Sequence, residues 1–328
     1  MDQDAAAQRR KLGGVIFVTL TLIAWSSVPL FLKYFASHID AWTANGWRYG
    51  VSAVLWGPVL IFLALRKKLP PGLWRAAVVP SLFNCLGQSC FAWAPYFIDP
   101  GLMTFVLRFQ ILFVTAGAYL LFPTERVVIR SVGFWVGIAI VFLGATGVLL
   151  MGHEPPRGAT FKGVLLALGG GILFAGYSLS VRYYMHRTNP IIAFSAISVY
   201  TSLVLALVMV LFARSHGMET LNLTGSQFAL LIVSALVGIA FSHAMYYAGL
   251  IRLGVAVTSG IVLLQPILTA TASYFIFREH MTVGQWLCGL GSLFGAGILL
   301  SAQHRATRTP VAPIPPLPCV APLFTKSA

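Results

Sequence analysis

Arg108 stands inside an apolar run, PGLMTFVLRFQILFVTAGAYLLF from Pro100 to Phe122, with Gln110 two residues further on. A guanidinium in hydrocarbon costs from about 2.5 kcal/mol to several times that, so such a residue is kept where it pairs or where it functions. Its planar fork can grip a carboxylate through two parallel hydrogen bonds. No Asp or Glu falls in any long apolar segment of the chain, so no acidic partner is available at its depth. Two readings follow: a packed arginine donating to backbone carbonyls and to Asn84 or Gln88, or a receptor for a carboxylate or another anion. Asn84 and Gln88 are spaced i,i+4 and share one helix face, as interhelical glue or as polar lining of a cavity. Gln265 recurs in the second half of the chain in the position that Gln110 holds in the first. His243, followed by Tyr246 and Tyr247, titrates near neutral pH when unperturbed; it reads as a hydrogen bond between helices or as a proton-coupling group. Trp25, Trp93, Tyr96 and Tyr177 read as the walls of an aromatic cavity, or as core and interfacial belt. Cys85, Cys90, Cys288 and Cys319 have no metal-ligand spacing, and there is no phosphate-binding loop and no nucleophile constellation. The expectation is a chain that is not an enzyme, with no catalytic residue, no metal and no cofactor.

The elements that position these groups follow from composition. Of the 328 residues 58% are hydrophobic and only 9% charged, too few to coat a soluble domain. That excludes a soluble enzyme, a disordered protein and a nucleic-acid binder, although the formal net charge is +14. Ten stretches are long enough to cross a bilayer: 13–34, 44–65, 74–97, 100–122, 131–151, 160–184, 190–213, 227–250, 255–277 and 283–302. Turn formers such as Pro70-Pro71-Gly72, Asp99-Pro100-Gly101 and Asn189-Pro190 join them. Residues 303–328, rich in proline, read as a disordered tail. The first stretch is longer than a signal peptide's apolar region and reads as a retained helix. With both termini in the cytoplasm, fifteen Lys and Arg fall in cytoplasmic loops and six opposite, Lys33, Arg48, Arg157, Lys162, Arg214 and Arg278. That bias favours a multi-pass inner-membrane protein with both termini cytoplasmic.

The chain also repeats itself. Residues 14–35 align without a gap on 163–184, matching Gly14/Gly163, Val15/Val164, Ile23/Ile172, Leu30/Leu179 and Tyr34/Tyr183, with Lys33 meeting Arg182. QILFVTAGAYLLF (110–122) aligns on QPILTATASYFIF (265–277), and Glu125 and Glu279 follow at nearly the same distance. Five helices per copy is an odd number, so the second copy enters the membrane from the other side. The expected fold is all-α and integral to the membrane, ten transmembrane helices as two inverted five-helix repeats, 13–151 and 160–302. Inverted repeats are the usual frame of secondary transporters, with the binding site at the repeat interface near the midplane. Gly133-Phe-Trp-Val-Gly137 and Gly291-Ser-Leu-Phe-Gly295 fall in equivalent helices. They suit intramolecular packing of helices 5 and 10, with a homodimer as the other use of such a motif.

Ala24-Trp25-Ser26-Ser27, Arg48-Tyr49, Glu125-Arg126, Glu279-His280 and Gln265-Pro266-Ile267-Leu268, in that order over about residues 13–301, resemble the drug/metabolite transporter superfamily, specifically the ten-helix proteins built from two EamA domains. That resemblance implies a plasma-membrane carrier of small metabolites, often an exporter. The sequence departs from the pattern where helix 4 carries Arg108-Phe109-Gln110-Ile111 in place of the Leu-Gln-Pro of helix 9. The expected function is a secondary transporter, exporting a small metabolite such as an amino acid or another carboxylate-bearing solute. The expected site is Arg108, Gln110, Asn84, Gln88 and Gln265, walled by Trp25, Trp93, Tyr96, Tyr177 and His243. The alternatives are a cationic-drug/proton antiporter, which would need a membrane-embedded carboxylate, and a non-transporting membrane sensor or assembly protein, which would need a folded appendage. The partners expected are the small-molecule substrate and the lipid bilayer, with no nucleic acid.

Overall fold

A computed structural model of the chain describes residues 2–122, 131–152, 158–253 and 255–308. Helices follow one another as α1 (Asp2–Phe35), α2 (Ala41–Leu65), α3 (Leu73–Trp93), α4 (Pro100–Leu107), α5 (Gln110–Leu121), α6 (Val132–Leu150), α7 (Gly158–Met185), α8 (Pro190–Phe212), α9 (Gly225–Ala235), α10 (Ser242–Leu253), α11 (Val255–Val262), α12 (Gln265–Phe277) and α13 (Val283–Arg308). Among the described residues there is no strand. Nine segments of the described residues are long and apolar enough to cross a membrane. The tenth crossing is α3, whose 21 residues match the others in length while Asn84 and Gln88 lower its hydropathy. The fourth span is α4 with α5, the eighth α9 with α10, and the ninth α11 with α12. The last helix runs on to Arg308 instead of stopping at 302, so residues 303–308 are helix and not tail; the proline-rich residues 309–328 lie outside the described residues.

The breaks between helices are set locally. Asp40 caps α2, accepting from the backbone N–H groups of Trp42 and Thr43 at 2.8 and 3.0 Å. Asn189 caps α8 ahead of Pro190, and Thr224 with Gln227 forms a capping box on α9. An even number of crossings leaves both chain ends at one end of the bundle, called here the terminal end; the opposite end is distal.

Packing follows the repeat. Each major interface has a partner under exchange of the two halves: α1 on α10 corresponds to α7 on α3, and α1 on α12 to α7 on α5. The pairs α2 with α8 and α6 with α13 map onto themselves. Because nearly every large interface joins one half to the other, neither half buries its apolar faces alone.

One pair of interfaces breaks the symmetry. At the distal end α4 packs on α12 and on α1. The counterparts at the terminal end would be α11 on α5 and α11 on α7, and no interface of comparable extent forms there among the described residues. The distal halves of the fourth and ninth spans pack together, and their terminal halves form no comparable interface among the described residues.

The contact between α6 and α13 depends on glycine. A Cβ at Gly137 would lie 2.9 Å from Leu299 N, and one at Gly295 2.8 Å from Val141 N. Their motif partners are less constrained: Gly133 has its nearest neighbour at 3.7 Å and Gly291 has none within 4 Å. Gly144, outside either motif, is tighter than all four, with Cys288 O and Ser292 N both 2.6 Å from its missing Cβ. The close-approach glycines are thus spent inside the chain. Gly144→Ala is expected to cost about 1–3 kcal/mol through backbone displacement, and Gly291→Ala to stay within about 0.5 kcal/mol. Thermal unfolding of the two detergent-purified variants measures the difference, and equal melting temperatures would contradict it.

Candidate functional site

The fourth and ninth spans break at equivalent places. Helix α4 ends at Leu107 and α5 restarts at Gln110; α11 ends at Val262 and α12 restarts at Gln265. At each break the hydrogen bonds tighten to i→i−3: Arg108 N to Phe105 O, Phe109 N to Val106 O and, in the second copy, Leu264 N to Ile261 O. Short 3₁₀ stretches inside a helix often mark a hinge. Pro266 accounts for the second break, since it has no N–H to return to the preceding turn. The first break forms without a proline: Ile111 stands at the position of Pro266, and Arg108 at that of Leu263.

Across the two breaks runs one hydrogen bond. Arg108 Nη2 donates to Gln265 Oε1 at 2.6 Å, and Gln265 Nε2 donates to the Trp25 carbonyl at 3.0 Å. A guanidinium only donates and a carbonyl only accepts, so the two partners fix which end of the amide is which. Arg108 Nε is buried with no acceptor. Trp25 sits against His243 and Tyr246, with ring centroids 5.2 and 4.9 Å away. His243 stacks on Phe194 at 4.3 Å and 7°, and its Nδ1 is 2.9 Å from the Ile239 carbonyl. Because that partner only accepts, Nδ1 carries the hydrogen. Phe194 continues to Tyr247, whose phenol lies beside that of Tyr177 on α7.

Arg108, Gln265, Trp25, His243 and Tyr177 therefore form one connected group drawn from α1, α4, α7, α10 and α12. Asn84 joins its edge: Nδ2 donates to Thr201 Oγ1 at 3.0 Å, and the side chain bonds Tyr49, which packs with Phe194. Gln88 enters through its backbone, whose carbonyl accepts from Asn45 Nδ2 at 3.1 Å. Gln110 lies on the other side of the break, where Gly171 of α7 lets the two backbones approach. Trp93 and Tyr96 are not part of the group. They stack on Trp42, Phe97 and each other near the distal end, and Tyr96 Oη donates to the Ile39 carbonyl at 2.6 Å. Glu125 lies outside the described residues.

Counting Arg48 among the loop charges overlooked a second buried arginine. It is 1% exposed, its Nε has no acceptor, and no carboxylate faces it among the described residues. It lies two turns into α2, one turn after Asn45, whose Oδ1 is buried without a donor. Arg48 Nη2 fits against the π-helical turn Leu236–Phe241 of the eighth span because residue 238 is glycine. The stripe Asn45, Arg48, Ser52 was a readable signal, since that spacing repeats on one helix face. Its position near a helix start disguised it as a flanking charge.

The sequence matches the EamA-like transporter family model over residues 12–150 and 161–301. The chain belongs to the EamA-like transporter family. The two matched segments are the two copies, each holding one broken span. A solved structure titled only "Crystal structure of protein" shares the fold, with a TM-score of 0.58 at 15% identity over 89% of this chain and 98% of that one. No curated protein matches the sequence significantly. Family and architecture make the chain a multi-pass membrane protein of a transporter family, lying in a lipid bilayer.

In this EamA-family chain the fit of Arg48 against the π turn is testable. A Cβ at residue 238 would lie 3.0 Å from Arg48 Nη2 and 2.6 Å from Val28 Cγ2. Gly238→Ala is expected to cost about 1–3 kcal/mol, and adding Val28→Ala to recover part of it. Melting curves of the single and double variants check this; additive losses would show that the contact is not shared.

Proposed function

We propose that the protein is a secondary carrier that moves a small carboxylate-bearing metabolite, of the amino-acid kind, outward across the inner membrane. The observation that carries this reading is Arg108: a guanidinium at the break of one repeat, held by a neutral amide at the break of the other, with Nε left unpaired. A substrate carboxylate can take Nε–H and Nη–H side by side, and the guanidinium then has the counter-charge that the protein withholds. Half-helix breaks at the midplane are where carriers of this architecture hold their solutes. Trp25, Tyr246, Tyr247 and Tyr177 supply an apolar and hydroxyl-bearing wall for the rest of the molecule.

Direction and sidedness rest on two further supports. The distal halves pack together and no comparable interface joins the terminal halves among the described residues, which supports access to the site from the terminal end. With Arg48 buried, the sequence tally of lysines and arginines becomes fifteen against five, which favours a cytoplasmic terminal end. Loading from the cytoplasm follows. The cation-carrier alternative finds no support beside the breaks: Asp40, Asp99, Glu219 and Glu279 are at the distal end, Asp2 and Asp4 precede the first span, and Glu125 and Glu154 lie outside the described residues.

Two experiments test the reading. In proteoliposomes, counterflow of a panel of radiolabelled amino acids and simple carboxylates is expected to single out one or more anionic or zwitterionic solutes. Arg108→Gln should abolish that transport and Arg108→Lys weaken it strongly, because ammonium keeps the charge but loses the fork. Both variants should remain folded and inserted. Wild-type transport by the glutamine variant, normalised to monodisperse protein, would overturn the anion site. For topology, a cysteine placed at Pro71, in the loop with Arg66, Lys67, Lys68 and Arg75, should resist an impermeant thiol reagent added outside cells. Ready labelling would reverse the orientation.

A further inference from the structure

Three charges from three spans meet at the distal end. Lys33 Nζ of α1 lies 3.3 Å from Asp99 Oδ1 at the head of α4 and 3.6 Å from Glu279 Oε1 just beyond α12. Ser273 of α12 donates its hydroxyl to Glu279 Oε2. The carboxyls of Asp99 and Glu279 thus gather around one ammonium and line one small cavity. A hydrogen bond between them would need a proton, because two ionised carboxylates only accept. Glu279 is the enclosed member, its side chain 13% exposed against 55% for Asp99. A cavity of about 60 Å³ reaches the pair, lined among others by Ser273, His280 and Gln285, and is large enough to admit water.

We propose that Asp99 and Glu279 form a proton-binding site, and that the shared proton latches the distal end shut. With the proton in place, one net negative charge on the carboxyl pair is balanced by Lys33. Without it, two carboxylates face one ammonium in a half-buried site, and their repulsion loosens α4 from α12 and α1. Those are the interfaces that join the distal halves and have no comparable counterpart at the terminal end among the described residues. The sequence supports a one-sided device. At the repeat offset of 155 that pairs Gln110 with Gln265, the counterpart of Asp99 is Gly254, so the second repeat cannot assemble the same carboxyl pair. The inference goes beyond the carrier reading and holds whatever solute is moved.

The pH range follows from the surroundings of Glu279. Burial is the largest cause and raises its carboxyl from 4.5 to about 7, with Asp99 adding to the rise and Ser273 and Lys33 opposing it. The other titratable or charged groups around it are His280 and Arg278 in the same loop and Tyr274 on α12; α13 presents the neutral Gln285. A raised carboxyl stabilises the latched state fully below the ordinary value near 4.5 and loses that contribution as pH rises through about 7.

The test uses the full chain in lipid. Infrared difference spectra on titration should show a protonated-carboxyl band that disappears with a midpoint near pH 7, is absent in Glu279→Gln and persists in His280→Gln. A band with an ordinary midpoint near 4.5, or a transition near 7 that survives Glu279→Gln, would overturn the site. Closure is read separately by oxidative cross-linking of Gly101→Cys with Ala270→Cys, since a Cβ at residue 101 would lie 3.1 Å from that of Ala270. At pH 8 the pair should cross-link several-fold faster when Glu279 is replaced by Gln, which keeps the hydrogen bond without the charge. Equal rates at pH 8 would leave the proton site without a latch and overturn that half of the proposal.

Discussion

A single hydrogen bond between two helix breaks, Arg108 to Gln265, organises the centre of this molecule. In hydrocarbon a broken helix is tolerated only where neighbouring protein satisfies what the break exposes. Here each break is placed against the other repeat, so the irregular backbone of one half is covered by the ordered side chains of the other. Arg108 contributes charge and reach, and Gln265 is the partner that can accept from it and still donate to α1. A carboxylate in place of Gln265 would hold the arginine more tightly and would also neutralise it. The amide fixes the guanidinium in position without cancelling its charge, which suits a group that exchanges partners.

The repeat explains why such a centre can move. Interfaces that map onto one another under exchange of the halves have closely similar packing, so two arrangements of one chain differ only in which end has α4 on α12 or α5 on α11. On the carrier reading, a structure with the distal interface and no comparable terminal one among the described residues is one member of that pair. The energy gap between them is then a difference of a few contacts, and modest binding energies at the centre or at either end are enough to move it.

Much of this was legible in the sequence, for identifiable reasons. The spans, the odd-numbered repeat, and Arg108 and Gln265 as separate polar residues are readable because hydropathy and a fixed offset are one-dimensional properties. Their bond to each other was not, and the arginine's expected side-chain partners were Asn84 and Gln88. Trp93 and Tyr96 illustrate the opposite. Their types suit a cavity wall, but their helix carries them to the distal end, and depth along a helix matters as much as residue type. Arg48 was hidden because a basic residue a few positions inside a helix start looks like a flanking charge that snorkels. The break at Arg108 was invisible for want of a proline, since its cause is the packing of the opposite repeat. Gly144 had no motif to announce it. The Asp99–Glu279 pair joins residues 180 positions apart in different repeats, and nothing local in either one indicates that they meet.

The distribution of charge ties centre and end together. One buried and one half-buried arginine, Arg48 and Arg108, sit in the bundle, while the described carboxylates beyond the first helix all lie at the distal end. Arg108 is nine residues beyond Asp99, about 14 Å along the helix axis. At that distance and an effective dielectric of about 20, one unit of charge interacts with another by on the order of 1 kcal/mol. On the carrier and latch readings taken together, a carboxylate bound at Arg108 and a second negative charge on the latch oppose each other by about that amount. Occupancy by an anion therefore favours the protonated, closed latch, and by reciprocity a protonated latch favours the anion. Loss of the proton weakens the closure and the hold on the anion in the same step, so the end that opens is also the end toward which the solute is released.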